Sequence, residues 1–269
     1  MSERSVTCVV TNDDGVDSDG LRLLAAVAAF ASLDVVVAAP YGEASGSSAA
    51  MTPTAADGKV KVSRVDLAGL GGIAAYAVAA GPAFIAFTAV RGAFGPPPAV
   101  VLSGINHGPN TGTAILHSGT VGAALTAASA GVPSAAFSLA AMAGDPRTEW
   151  ETAAQVAAQV LPVLADQRPG VVLNVNVPNV PPHSLRGIRC GTLAPAGAVN
   201  LTLAGPAEEY LKVTMHDNTD EPPESSDAAL LAAGYASVTP ILGICETSFA
   251  GLPWQAGAAS GTSGGPDAA

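Results

Sequence analysis

Residues 6–15 read VTCVVTNDDG, an apolar run that ends abruptly in an asparagine, two aspartates and a glycine. Residues 6–10 are rich in valine, and a short run of this kind predicts a strand that is buried on both faces. The polar end of the run predicts a loop, and Ser18 or Asp19 can cap the helix that follows. The fold is therefore expected to begin with a strand, a polar loop and a helix.

The same unit recurs along the first half of the chain. Further strands are predicted at residues 34–39, 99–103 and 134–139, with helices at residues 82–94 and 119–130. Residues 53–65 and 73–78 are predicted to form a hairpin instead. Buried strands that alternate with helices indicate an α/β fold with a mostly parallel sheet, covered by helices on both faces.

The second half of the chain is less regular. It contains a predicted helix at residues 147–165, a strand at 171–177 and strand candidates near residues 187–190 and 235–241. After Pro178 the sequence is rich in proline and glycine, which indicates an appendage that shapes the pocket or pairs with another subunit.

Composition and charge restrict the class of partner. Hydrophobic residues make up 49% of the 269 and charged residues 12%, so the chain can bury one large α/β core or two modest ones. The net charge is −11 and no basic run is visible, which argues against long nucleic acid and an anionic membrane surface. A small phosphorylated molecule remains compatible if a metal ion supplies positive charge.

The cysteines and the N-terminus bear on location. Cys8, Cys190 and Cys245 are an odd number without CxxC spacing, which argues against a disulfide framework and a structural zinc site. Cys8 lies in the first strand and is expected to be a buried, inert thiol. We see no signal peptide and no apolar stretch that could span a bilayer, so we expect a soluble cytoplasmic protein without membrane contact.

The adjacent carboxylates of Asp13 and Asp14 repel each other unless a positive charge lies near them. A divalent ion that prefers oxygen ligands, Mg²⁺ or Mn²⁺, would relieve this repulsion, and a solvated turn is the ordinary alternative. An EF-hand is excluded because the ligand alternation fails and no glutamate stands at the twelfth position. A receiver domain lacks its lysine, since Lys59, Lys61 and Lys212 are unsuitably placed.

Two other loops follow predicted strands, and ligands bind such sheets at the carboxyl ends of the strands. In residues 41–48, Ser45 and Gly46 can offer a hydroxyl and backbone N–H groups to an anion or a metal, although a flexible surface loop is the more common explanation of such a segment by itself. In residues 103–110, the Asn106 carbonyl suits magnesium, and a turn residue with positive φ is the alternative. Because the carboxyl ends of parallel strands share one edge of the sheet, both loops are expected to lie near Asp13 and Asp14.

Residues 117–124, HSGTVGAA, open a helix. The free N–H groups and the dipole of a helix start form an anion site, to which Ser118 and Thr120 add hydroxyl donors. Helix capping alone also explains both hydroxyls. His107 and His117 can assist proton transfer, but a histidine without a visible partner is more commonly a polar loop residue.

Taken in order, these segments resemble the SurE family, the survival-protein-E stationary-phase phosphatases. The resemblance extends from about residue 6 to residue 242. It is carried by TNDDG at 11–15, SGSS at 45–48, SGIN at 103–106, SGTVGAA at 118–124, LNVNVP at 173–178 and GYASVTP at 234–240.

The resemblance implies a Rossmann-like sandwich with a C-terminal β-hairpin extension used in homodimers or homotetramers. It also implies metal-dependent hydrolysis of phosphomonoesters such as 5′- or 3′-nucleotides. One divalent ion per subunit is expected on Asp13, Asp14, Ser45 and Asn106, with the two aspartates as catalytic residues. The residues expected to bind phosphate are Asn12, Gly46, Ser118, Gly119 and Thr120. Residues 1–250 should form one domain, with residues 180–242 as the extension and 255–269 as a disordered tail.

Three positions depart from the family pattern. Ala49 stands where histidine is usual, Phe84 where aspartate is usual and Thr126 where glutamate is usual. Because the four expected metal ligands are intact, we interpret these changes as a modified pocket around a small phosphorylated substrate. A degenerate member that binds a nucleotide or a protein partner without turnover stays open. Hydrolysis of a non-phosphate ester or amide is a further alternative.

Overall fold

The computed structural model describes residues 6–246 except 52, 54, 143, 196–198, 208–209 and 218–220. The strands are β1 (Thr7–Thr11), β2 (Asp34–Pro40), β3 (Ala55–Ala56), β4 (Lys59–Val60), β5 (Val62–Val65), β6 (Ala74–Val78), β7 (Val100–His107), β8 (Ser134–Ala140), β9 (Val171–Pro178), β10 (Ile188–Cys190), β11 (Val199–Ala207), β12 (Tyr210–Asp217) and β13 (Ala236–Leu242). The α-helices are α1 (Asp19–Phe30), α2 (Pro82–Ala89), α3 (Gly119–Ser129), α4 (Trp150–Val160) and α5 (Asp227–Ala232).

Nine strands form one sheet in the order β10-β13-β9-β8-β7-β1-β2-β6-β5. The pairs from β6 through β2, β1, β7 and β8 to β9 are all parallel, whereas β13 runs antiparallel to β9 and β5 antiparallel to β6. The α/β class and the mostly parallel sheet are therefore confirmed. β11 and β12 form a separate antiparallel hairpin, which lies in the segment where a C-terminal β-hairpin extension was expected.

Helices cover both faces of the sheet, which explains why the central residues of β1, 8–10, are all apolar. Cys8 and Val10 pack into the cluster that contains Leu21 of α1. Val9 points the other way and packs with Ala127 of α3. Successive side chains of a strand face opposite sides, so a strand between two helix layers is apolar at every position.

The expectation that Cys8 is a buried, inert thiol is confirmed. Cys8 is fully buried, and burial raises the pKa of its thiol to about 12. The thiolate is the reactive form, so this residue is chemically inert in the folded protein. Cys190 and Cys245 are exposed free cysteines.

Several predicted boundaries were wrong. Residues 62–65 and 73–78 do contain a hairpin, but its strand β6 also pairs parallel with β2 and extends the main sheet. The predicted helix over residues 147–165 is α4 followed by a 3₁₀-helix, Leu161–Asp166, because Pro162 has no N–H to continue the α-helical hydrogen bonding. α2 ends at Ala89, before glycines and prolines that cannot propagate it.

Strand β7 is longer than predicted and reaches His107. Its pairing with β8 is interrupted between Ser103 and Asn106 and then resumes, so Asn106 lies within the strand rather than in a loop. Of the helices in the described part of the chain, none combines the length and apolar character that a bilayer crossing requires. The predicted tail at residues 255–269 lies outside the described residues.

Candidate functional site

The ends of three neighbouring strands meet where the sequence predicts. β1 lies between β2 and β7 in the sheet. A polar segment follows β1 and another follows β2, and the third begins inside β7 and continues beyond its end. The backbone N–H of Ala44 donates to the Asp13 carbonyl at 2.7 Å, which joins the loops after β2 and β1. The backbone N–H of His107 donates to Asp14 Oδ2 at 3.2 Å, which joins the end of β7 to the same point.

Asp13 is held from the opposite side by helix α3. Its side chain is buried, with 4% of its surface exposed, and the Thr120 hydroxyl donates to its Oδ1. A Cβ atom on Gly119 would lie 2.7 Å from Asp13 Oδ2, so only glycine lets the start of α3 approach this closely. Burial raises the pKa of Asp13, and the Thr120 hydroxyl and backbone N–H partly offset that rise.

Asp14 is half-buried. Burial and then the charge of Asp13 raise the pKa of Asp14 to about 6, while the His107 backbone hydrogen bond opposes the rise. Within the described residues, the ion pairs are Arg22–Asp19 and Arg147–Glu149, and neither involves these aspartates. The repulsion inferred from the sequence is therefore present and is not relieved by a basic side chain of the described chain.

Ser45 and Asn106 complete the predicted set of oxygen donors. Ser45 is exposed, and its hydroxyl donates to Glu43 Oε1 at 2.8 Å. The Asn106 amide nitrogen donates to the Gly108 carbonyl at 2.8 Å, which leaves its side-chain oxygen as the group available for a cation. Within the described residues, no three histidine, cysteine, aspartate or glutamate side chains cluster as a metal site, so a cation here depends on mixed oxygen donors.

The predicted phosphate-binding residues differ in their exposure to solvent. Asn12 is fully buried, and its amide nitrogen donates to the Gly15 carbonyl at 3.0 Å and to Ser18 Oγ at 2.7 Å. Asn12 therefore organises the turn after β1 and the Ser18 cap of α1. Gly46 is exposed in the second loop with a φ of +73°.

At the start of α3, the hydroxyl of Ser118 accepts from the backbone N–H of Val121 at 3.1 Å, so it caps the helix. Gly119 and Thr120 are buried against Asp13. The predicted phosphate loop is therefore in direct contact with one predicted metal ligand, Asp13.

Two buried oxygens at the site have no partner. They are Asn12 Oδ1 and Ser47 Oγ, and neither makes a hydrogen bond. A Cβ atom built on Gly119 would lie 2.7 Å from both Ser47 Oγ and Asp13 Oδ2, so this hydroxyl lies close to the buried carboxylate. Unpaired buried oxygens beside a carboxylate fit a site that accepts a hard cation and its water molecules.

A cleft of about 370 Å³ opens beside Asp14. It is lined by Asp14, Ser18, Asp19, Gly20, Glu43, Ser45, His107 and Trp150. Three of these are carboxylates, which attract cations and repel anions. The cleft gives small molecules access to one predicted catalytic aspartate and to the Ser45 hydroxyl.

A family model described as "Survival protein SurE" matches residues 8–198 of this chain. The chain belongs to the SurE family. It is 35% identical over 239 residues to the 5′/3′-nucleotidase SurE of Edwardsiella ictaluri, with 87% of this chain and 88% of that protein covered. It is 34% identical over 242 residues to the 5′-nucleotidase SurE of Aeromonas hydrophila, with 87% and 90% covered.

The fold agrees with a solved member of the SurE family. The crystal structure of the SurE protein from Aquifex aeolicus superposes with a TM-score of 0.73 and 27% sequence identity, covering 88% of this chain and 93% of that one. The family resemblance and the Rossmann-like fold predicted from the sequence are therefore confirmed.

The three departures from the SurE pattern lie outside the cleft lining. Phe84 lines a separate apolar cavity between α2 and the strands β4 to β6. The Thr126 hydroxyl donates to the Gly122 carbonyl inside α3 at 2.7 Å. Ala49 is exposed in the loop that precedes β3. None of the three residues therefore lines the cleft beside Asp14.

A buried asparagine network next to the site was not predicted. Asn176 Oδ1 accepts from the Asn110 backbone N–H at 2.7 Å, and the amide nitrogens of Asn174 and Asn176 donate to the Asn110 carbonyl at 2.9 and 2.8 Å. The Asn110 amide nitrogen donates to Ser138 Oγ at 2.8 Å. The network ties the segment after Asn106 to β8 and β9. The signal in the sequence for this network is the pair Asn174 and Asn176, which occupy alternate positions of an otherwise apolar strand.

Proposed function

We propose that the chain is a divalent-metal-dependent phosphomonoester hydrolase that acts on a nucleotide or a related small phosphorylated metabolite. The observation that carries the proposal is the Asp13–Asp14 pair, which is partly buried, mutually repelling and without a basic partner among the described residues. The SurE relatives named as nucleotidases support the substrate class.

One ion per subunit, Mg²⁺ or Mn²⁺, would be held by Asp13, Asp14, Ser45 and Asn106. All four side chains offer oxygen, which both ions prefer. The unpaired Ser47 hydroxyl beside Asp13 adds a further oxygen for the ion or its water. When bound, the ion supplies positive charge that polarises a phosphate ester and acidifies water.

The chain's own residues orient the nucleophile and the phosphate. The Thr120 hydroxyl occupies Asp13 Oδ1, so Oδ2 is the atom that orients a water molecule and accepts its proton. The start of α3, with Ser118, Gly119 and Thr120, directs its dipole toward the phosphoryl group and stabilises the developing negative charge. We assign Asn12 to holding the turn that carries both aspartates, since its side chain is buried.

The test is hydrolysis of a panel of phosphomonoesters that includes 5′- and 3′-nucleotides, with Mg²⁺ or Mn²⁺ added. We expect phosphate release that is lost in excess EDTA and in Asp13→Asn. Asp34→Asn changes an exposed aspartate at the start of β2 and is the matched control. Full activity of Asp13→Asn, or full activity in EDTA, would contradict the mechanism. Binding of a nucleotide without turnover across the panel would favour the degenerate binding protein instead.

We also propose a cytoplasmic homodimer or homotetramer. The three free cysteines support a reducing compartment. The hairpin β11–β12 forms its own two-stranded sheet, and an isolated hairpin is marginally stable in water, so a contact with a second subunit would stabilise it. The molar mass in solution, measured by light scattering, tests the assembly, and a monomer would refute it.

A further inference from the structure

Trp150 separates two neighbouring cavities. On one side lies the cleft beside Asp14, and on the other a second cavity of about 380 Å³. The second cavity is lined by Asp19, Arg22, Leu23, Ala26, Ala68, Gly69, Leu70 and Trp150. Asp19 and Trp150 line both cavities, which we together call the groove, and the cavity on one side of Trp150 contains a predicted catalytic carboxylate, Asp14.

The two parts of the groove differ in chemistry. The part beside Asp14 is polar and contains carboxylates, whereas the part beyond Trp150 contains Leu23, Ala26 and Leu70. Arg22 lies in the apolar part, but its guanidinium already donates to Asp19 and to the Asp17 carbonyl. The groove therefore provides a polar end for a reacting group and an apolar, aromatic end for a flat uncharged group.

The Trp150 ring is positioned before any ligand arrives. It lies over Gly20 of α1, where a Cβ atom would be only 3.1 Å from the Trp150 Cζ3 atom. The preceding residue is fixed as well, because the Glu149 backbone N–H donates to Asn179 Oδ1 at 2.8 Å. His107 lies on the cleft side, with its ring centroid 6.2 Å from that of Trp150 and the planes inclined by 57°.

We infer that Trp150, with His107, forms the subsite for the leaving group and takes a planar aromatic ring such as a nucleobase. The inference rests on the proposed function, which places the phosphate beside Asp14. Aromatic faces bind bases by stacking with little dependence on base identity. The volume of the cleft, about 370 Å³, falls in the range of about 300–1,000 Å³ that is common for small-molecule pockets.

The charges of the cleft disfavour an anionic leaving group. Asp14, Asp19 and Glu43 line the cleft, and its lining contains no lysine or arginine. A leaving group with a second phosphate would meet repulsion from these carboxylates. An uncharged ring meets none, and it removes apolar surface from water at Leu23 and Leu70.

The decisive comparison uses adenosine monophosphate and ribose 5-phosphate, which share the phosphate and the sugar but differ in the base. We expect Trp150→Ala to lower kcat/KM for adenosine monophosphate by about tenfold or more, as the loss of one stacking partner predicts. The value for ribose 5-phosphate should stay within about twofold, because that substrate has no ring to stack. Trp150→Phe should restore most of the activity toward the nucleotide.

Phe30→Ala is the matched control, since this aromatic residue is 94% exposed at the end of α1. Equal losses for both substrates would show a merely structural role for Trp150 and would overturn the inference. No loss for either substrate would also overturn it.

A binding measurement separates this inference from the proposed function. Trp150 and Trp254 are the two tryptophans of the chain, so Trp254→Phe leaves Trp150 as the sole indole. We expect adenosine monophosphate to quench its fluorescence and ribose 5-phosphate not to do so. Quenching without hydrolysis of any monoester would refute the proposed function but keep the subsite. Hydrolysis of the nucleotide without quenching would refute the subsite but keep the proposed function.

Discussion

Replacing Asp14 by asparagine should make the metal-free protein more stable at neutral pH. The pKa of Asp14 rises from 3.8 to about 6 in the fold. At about 1.4 kcal/mol for each tenfold change, the ionised carboxylate therefore costs about 3 kcal/mol at pH 7.5. Asp14 is only half-buried, and solvent screening reduces this to about 1–2 kcal/mol. Asparagine has nearly the same shape but no charge, so Asp14→Asn removes that cost.

The pH dependence follows from the sign of the shift. Because the folded pKa lies above the unfolded value, the stabilising effect of the protonated carboxyl is complete below pH 3.8 and is lost as the pH rises through about 6. The advantage of Asp14→Asn should thus be full at pH 7.5 and about half as large at pH 5.

Thermal unfolding in EDTA measures the effect. We expect Asp14→Asn to raise Tm by roughly 2–8 °C at pH 7.5, at roughly 2–4 °C for each kcal/mol. Asp34→Asn, at an exposed aspartate, should leave Tm unchanged. Saturating Mg²⁺ or Mn²⁺ should stabilise the unsubstituted protein by about 3 kcal/mol at a hundredfold excess over Kd, but not Asp14→Asn.

Two results would refute this reasoning. A lower Tm for Asp14→Asn in EDTA at pH 7.5 would mean that the carboxylate stabilises the fold instead of straining it. A gain in Tm that is the same at pH 5 and pH 7.5 would mean that charge is not the cause.

Two further substitutions test the supports of the site. Thr120→Val removes the hydroxyl that donates to Asp13 and lowers its pKa, so the pKa of Asp13 should rise and the acid limb of the pH–activity profile should move to higher pH. An acid limb that does not move would contradict the role given to Thr120. Asn176→Leu leaves the Asn110 backbone N–H without its partner, and unfolding by denaturant should show a loss of about 1–3 kcal/mol. Unchanged stability would show that the network does not hold this segment.

The first half of the fold could be predicted because its signals are local. The apolar run before Asn12, the Ser18 cap and the alternation of strands with helices all act within a few residues. Once these signals had predicted a parallel sheet, the meeting of three strand ends followed, since the carboxyl ends of parallel strands share one edge of a sheet. The wrong boundaries have two causes: strand pairing extends β7 to His107, whereas nearby proline and glycine end α2 and α4 earlier than predicted.

Residues of the candidate site could be proposed from the sequence where several polar groups lie in one segment, but not where the cleft is assembled from several segments. Two adjacent carboxylates repel each other, so Asp13 and Asp14 could be identified as candidates from the sequence. Glu43 and Trp150 carry no such local signal, and they line the cleft only because the loop after β2 and the start of α4 meet α1. Asn110 likewise gains its role from partners on β8 and β9.

By itself, the sequence determined the α/β class, the position of the carboxylate pair and membership of the SurE pattern, because each depends on residue type and short-range spacing. Only the tertiary structure decided the burial of the two aspartates, the pKa of Asp14 and the cavities beside it. It buries Asp13 against Gly119 and Thr120, leaves Asp14 half-buried with a pKa of about 6, and places a second cavity next to the cleft at Trp150. Burial, pKa and cavity shape depend on distances between segments far apart along the chain, and those distances exist only once the chain is folded.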